Sequence, residues 1–173
     1  ASLERAARGM MTTDTVPKHL AIQVKLAGGT VTIGGMAKGS GMLHPNMATM
    51  LSLITTDAVV PPDVLKSVLK TAVNQSFNRI SVDGDTSTND TVLLLANGVS
   101  GIAIETHDDA EVFSEALNAL CRKLARWIVK DGEAATKFVE IQVSGAKTSA
   151  DAHTIANTIA TSPLVKTAFA GSD

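Results

Sequence analysis

The sequence predicts a mixed, layered α/β fold rather than a doubly wound parallel sheet. Two observations carry this. Strand-like and helix-like segments interleave along the chain, and one pair of strand-like segments is joined by a glycine turn too short for a crossover helix. The 173 residues suit one domain with a real core, and 45% of them are hydrophobic. Aromatics make up 3% and Tyr is absent, so that core is aliphatic.

Ser2 to Met11 places Leu3, Ala6, Ala7 and Met10 at helical spacing. The run Thr12-Thr13-Asp14-Thr15 has turn composition, and on composition alone it reads as a turn that satisfies its own backbone. Val16-Pro17 bars a helix from continuing. Leu20, Ile22, Val24 and Leu26 alternate as in a half-buried strand. Ala27-Gly28-Gly29 can reverse the chain, and Thr30 to Ile33 resumes as the second arm of a hairpin.

Gly34 to Gly41 is read as a glycine-rich loop. It is no Walker motif, because Lys38 precedes Gly39-Ser40 where Gly-Lys-Ser/Thr is required. Lys38 could hold a carboxylate, although a solvated loop lysine is the plainer reading. Met50 to Thr56 reads as a strand buried on both faces. Pro61-Pro62-Asp63 opens a helix with Val64, Leu65, Val68, Leu69, Ala72 and Val73 as its apolar stripe, ending near Asn78.

In Ser81 to Thr91, the residues Asp83, Asp85, Ser87 and Asn89 alternate like the first ligands of a calcium loop. Thr88 stands where that loop needs Gly, and Leu94 where it needs Glu. A polar turn network is the better reading, and no metal site is expected. Val92 to Leu95 is a short strand ended by Asn97-Gly98.

Asp108 to Val129 is the longest helix, with Phe113, Leu117, Leu120, Leu124 and Trp127 on one face. Cys121 beside that stripe reads as core rather than nucleophile. Phe138 to Val143 alternates like a strand, and Ser149 to Ala170 is helical with Pro163 interrupting. Glu133 lies between helix end and strand start, where a carboxylate is usually solvated.

The net charge of -2, with no basic stripe or aromatic platform, argues against nucleic acid as a partner. No apolar run approaches the roughly 18 residues a membrane span needs. The single Cys121 excludes an internal disulfide and fits a reducing compartment. With no signal-peptide pattern at the start, a cytoplasmic protein is expected. The chain lacks an initiator Met and both ends read as cut. Residues 1–173 are therefore expected to form a single domain, the central part of a longer precursor.

Chemistry centres on Gly34 to Ala58, where a glycine-rich approach passes through His44-Pro45-Asn46 to Ala48-Thr49 and a strand. A threonine hydroxyl needs a base. His44 is the nearest in sequence. Alternatively, if the Ala48–Thr49 bond is cut, the new α-amine of Thr49, with an unperturbed pKa of about 7.7–8.0, can serve its own hydroxyl. The cut can be self-made. The hydroxyl attacks the Ala48 carbonyl, an N-to-O acyl shift gives an ester, and water hydrolyses it. From residue chemistry alone, an ordinary strand threonine is the plainer reading.

The run GGMAKGSGMLHPNMATML, with MTTDT upstream and DTSTNDT and DGEAATKF downstream, resembles the ornithine acetyltransferase (bifunctional glutamate N-acetyltransferase) family of arginine biosynthesis over essentially the whole chain. The resemblance implies an α+β, four-layer α/β/β/α sandwich, akin to but distinct from N-terminal nucleophile hydrolases. It implies self-cleavage at Ala48-Thr49, with Thr49 as catalytic nucleophile. Acetyl transfer from N2-acetyl-L-ornithine to L-glutamate then runs through an acetyl-threonine. Thr12, Lys38, Thr49 and Glu133 match substrate-binding positions. Lys38 would pair with the substrate carboxylate, Glu133 with an amino group, and Thr12 would add a hydrogen bond. No cofactor is implied, although some members accept acetyl-CoA as donor. The implied assembly is a heterotetramer of two cleaved chain pairs.

Two departures accompany the likeness. The family's oxyanion-forming Thr-Gly pair and its C-terminal substrate-binding Asn and hydroxyl residue match nothing in this sequence and are expected outside it. The family also has Gly where Ala134 or Ala135 stands, which reads as a minor change. The rival readings are a self-processing aminopeptidase or amidase of similar fold, an acetyltransferase restricted to acetyl-CoA, and a non-catalytic domain.

Overall fold

The computed structural model describes residues 2–41, 50–84 and 89–172. Its centre is one four-stranded sheet in the order β1-β2-β3-β4, formed by Lys18–Leu26, Gly29–Lys38, Leu51–Thr56 and Thr91–Ala96. The expected hairpin is present: β1 and β2 are antiparallel, and the Leu26↔Gly29 pair closes it. Gly29 has φ +142°, and a methyl group there would lie 2.7 Å from Ile102 Cδ1, so this turn needs glycine on both counts. β3 runs antiparallel to β2, while β4 runs parallel to β3 and is reached through helix α2, Pro62–Asn74. Pro62 in the first turn of α2 suits a position whose N–H has no helical partner.

Helix α3, His107–Lys130, packs across β1 and β2 and against α2. Thr106 caps it by accepting from the Asp109 N–H at 3.0 Å. Four of the five predicted stripe residues are buried, Phe113, Leu117, Leu120 and Leu124 at 1% exposed or less, and Trp127 is half-buried. They meet Val24, Leu26, Val31, Ile33, Ile54 and Leu94 from one face of the sheet. Cys121 is enclosed in this core, and burial pushes its thiol up to about 12, which fits the core reading.

A short helix α1, Ser2–Met10, packs on β1 and β2, with Ala7 and Met36 buried. Two helices end the chain, α4 (Ser149–Thr161) and α5 (Pro163–Gly171), separated at Pro163 as its missing N–H requires. Neither contains a buried residue. No described helix is long and apolar enough to cross a membrane.

Several expectations are corrected. Gly34 to Lys38 is strand, not loop: Gly35 lets α3 approach, since a methyl there would lie 2.7 Å from Leu120 Cδ2. β3 is not buried on both faces, because Leu51 is 38% exposed and only alternate residues face the helices. Phe138 to Val143 joins no ladder among the described residues, as an alternating pattern forms a strand only where an edge accepts it. α2 stops at Asn74, and a 3-10 turn over Phe77–Arg79 follows. The fold is α+β with one sheet among the described residues.

Candidate active site

Lys38 ends β2 on the face opposite α3 and is 5% exposed. Its plainer reading as a solvated loop lysine is therefore overturned: strand pairing carries the side chain inward. Its Nζ lies 3.5 Å from Thr12 Oγ1. Its strand partner is Leu51, two residues after Thr49 in the chain. The buried Met50, next to Thr49, donates its N–H to Asp90 Oδ1 at 2.7 Å, which fixes where β3 starts. Ala48, Thr49 and His44 lie outside the described residues, as do Asp85, Ser87 and Thr88 of the polar loop.

Glu133 reaches the same place from the turn after α3. Its N–H donates to the Ser40 carbonyl at 2.7 Å. Its carboxylate overhangs Gly41, where a methyl group would come within 2.9 Å of Glu133 Oε1. Glu133 is exposed, as a carboxylate between elements usually is, yet it is anchored through its backbone. Ala134 beside it has φ +56°, the left-handed region that favours glycine. An alanine held there carries a backbone cost, so a glycine-to-alanine change at residue 134 would not be minor. Ser40 Oγ also lies 2.6 Å from Thr13 Oγ1, so the Thr12-Thr13 turn, the end of β2 and the Glu133 turn converge.

What holds these segments is a buried charge cluster that sequence reading missed. Asp14 does more than close its own turn. It accepts the Thr12 N–H at 3.2 Å, the Gly39 N–H at 2.8 Å and the Lys18 ammonium at 2.6 Å. Lys18, 1% exposed at the start of β1, reaches on to Asp131 at 2.5 Å, just past the end of α3. Asp131 also accepts from the Thr15 N–H at 3.0 Å and from the Thr15 hydroxyl. Burial tends to raise both carboxyl pKa values. For Asp14 the Gly39 N–H, Lys18 and Thr12 N–H outweigh burial, and for Asp131 Lys18 and Thr15 do, so both sit below the usual aspartate value. The only sequence signal was Asp14 and Lys18 four apart around a proline, and that spacing does not predict burial. Among the described residues no three His, Cys, Asp or Glu side chains gather as a metal site.

These features define a class: an α+β chain whose internal hairpin strand ends in a glycine turn, flanked by a buried lysine, a hydroxyl and an anchored carboxylate. More specifically, the chain belongs to the ArgJ family, whose model matches residues 1–173. It is 54% identical over 170 residues to the glutamate N-acetyltransferase of Methanocaldococcus jannaschii, which covers 97% of this chain and 42% of that protein. It is 52% identical over 168 residues to the arginine biosynthesis bifunctional protein ArgJ of Chlorobaculum tepidum, with the same 97% and 42% coverage. The crystal structure of the bifunctional ArgJ protein from Bacillus halodurans superposes with a TM-score of 0.66 at 43% identity, covering 70% of this chain and 58% of that one. The chain thus spans 42% of the length of these curated relatives.

Proposed function

We propose that this chain supplies the centre of a glutamate N-acetyltransferase acting in arginine biosynthesis, as the names of its relatives state for those proteins. The observation that carries the reading is the convergence of Thr12, Lys38 and Glu133 at the strand end that faces the start of β3. A buried ammonium and an anchored carboxylate are the complementary charges that an amino acid's carboxylate and amine require.

In this reading, Thr49 Oγ attacks the Ala48 carbonyl carbon, the Ala48–Thr49 C–N bond breaks, and water then hydrolyses the ester. The freed α-amine takes the Thr49 hydroxyl proton as Oγ adds to the acetyl carbonyl of N2-acetyl-L-ornithine. The tetrahedral intermediate collapses, the C–N bond breaks, and ornithine leaves with the proton on its amine. Glutamate's amine then attacks the acetyl ester, and N-acetylglutamate leaves as the threonine hydroxyl is restored. Lys38 would hold the α-carboxylate shared by donor and acceptor. Glu133 would receive an amino group and Thr12 would orient the ligand. Acetyl-CoA is a second candidate donor, and no cofactor is needed.

The same reading adds a second sheet on the open face of β3 and β4, completing a four-layer sandwich. It also places the enzyme in the cytoplasm as a heterotetramer of two cleaved chain pairs. A self-processing amidase would share the nucleophile but pass the acyl group to water, and Lys38 and Glu133 suit an amino-acid acceptor better.

The test is denaturing intact mass of the full-length protein, with an acetylornithine–glutamate exchange assay. Two fragments meeting at Ala48-Thr49, together with exchange, are expected. Thr49→Ala should abolish both while leaving the circular dichroism spectrum unchanged. Cleavage in that variant, or hydrolysis without exchange in the wild type, would sink the reading.

A further inference from the structure

We infer that the Asp14–Lys18–Asp131 cluster positions the amino-acid-binding groups of this site. The inference rests on the transferase reading and assigns Asp14, Lys18 and Asp131 as positioning residues, none of them touching substrate.

The argument starts from what each carboxylate holds. Asp14 gathers the Thr12 N–H, the Gly39 N–H and the Lys18 ammonium. Gly39 is the residue after Lys38, so this one side chain ties together the backbones that carry Thr12 and Lys38. Asp131 holds Thr15 and Lys18 and precedes Glu133 by two residues. Lys18 is the bridge between the two carboxylates, with its side chain and that of Asp14 each 1% exposed and that of Asp131 5% exposed. The cluster therefore links the turn after α1, the end of β2 and the exit of α3. Those are the three segments that present Thr12, Lys38 and Glu133.

A cluster serving stability alone would have little need of charge. Desolvating three ionised groups costs much of what their attraction returns, and an apolar set of similar volume often serves as well. What charge adds here is direction. Nearly every remaining bond of the two carboxylates ends on a backbone N–H of a segment that carries the site, so the cluster sets spacing as well as attachment. Lys18 lies on the α3 face of the sheet and Lys38 on the opposite face, so the cluster acts through the backbone from behind the site.

The experiment uses the full-length enzyme with Lys18→Met, with Asp131→Asn, and with Val68→Ala as a core control on α2 remote from the cluster. Steady-state KM and kcat for glutamate and acetylornithine, intact mass and Tm are measured for each. Misplacing binding groups by a fraction of an ångström should raise KM for both amino acids about tenfold or more, with kcat changed by less than about threefold and self-cleavage complete. The Val68→Ala control should lower Tm without moving KM. If Lys18→Met does not fold, Asp131→Asn decides, since its amide oxygen still accepts from Thr15 while the ion pair is gone. Unchanged KM in a folded cluster variant, or an equal rise in Val68→Ala, would overturn the positioning role alone. A wild-type enzyme that showed no exchange would overturn the transferase reading, and the positioning role with it.

Discussion

Strand β4 carries three leucines in a row, and they meet different surroundings. Leu94 is 7% exposed, whereas Leu93 and Leu95 on either side are 51% and 55% exposed. The same division runs through β2, where Gly35 faces the leucines of α3 and Gly34 beside it faces Thr55. One face of the sheet is closed by α2 and α3. Among the described residues the other is closed only where α1 covers β1 and β2, and Lys38 sits at that covered end. Residue type does not decide which leucine stabilises this chain. Strand parity does, because each step along a strand turns the side chain to the other face.

This contrast can be probed by neighbouring substitutions. Leu94→Ala should cost about 2–5 kcal/mol in thermal or denaturant unfolding, as other core truncations do. Gly35→Ala should cost about 1–3 kcal/mol, because the added methyl would lie 2.7 Å from Leu120 Cδ2 and 3.2 Å from Leu124 Cδ1.

The polar part of the closed face has its own signature in pH. Asp14 and Asp131 have depressed native pKa values, so their stabilisation is fully present above the ordinary aspartate value of 3.8. It is lost as pH falls from there through the depressed native values. Tm should drop over that window in the wild type and drop less in Asp131→Asn, and equal acid sensitivity would exclude the cluster as its source.

Ala134→Gly belongs to neither face. Relief of a left-handed φ should raise stability by about 1 kcal/mol, and a lower Tm would show that the turn tolerates alanine. The smallest effects belong to the open face, where Leu95→Ala should stay within about 0.5 kcal/mol in this chain. A larger loss there would mean the leucine is covered in solution.

Local pattern made the helices and the hairpin legible. The stripe of α3, the prolines opening α2 and α5, and the alternation of β1 all act within a few residues of themselves. Partners distant in sequence did not show. Phe138 to Val143 has a strand's pattern without a ladder among the described residues, and Gly34-Gly35 has a loop's composition although Gly35 is strand whose missing side chain makes room for Leu120 of α3. The site divides the same way. The family likeness pointed to Thr12, Lys38, Thr49 and Glu133; Lys38 lies beside Thr12 and Glu133 is anchored on Ser40 close by, while Thr49 lies outside the described residues. The roles of the aspartates at 14, 90 and 131 were not legible, because they depend on backbone amides 25, 40 and 116 residues away.

The β2–β3 ladder has a consequence for a chain broken between residues 48 and 49. α1, β1 and β2 would belong to one polypeptide, and β3 with all later elements to the other. The pairs from Ile33↔Thr56 to Lys38↔Leu51 would then join two molecules, as would the packing of α3 on β1 and β2 and the Lys18–Asp131 contact. The nicked protein would be a split protein whose halves interlock through a common core. After full denaturation its recovery would become a second-order reaction, and its unfolding midpoint would rise with protein concentration, whereas an uncut chain would refold at a rate independent of dilution.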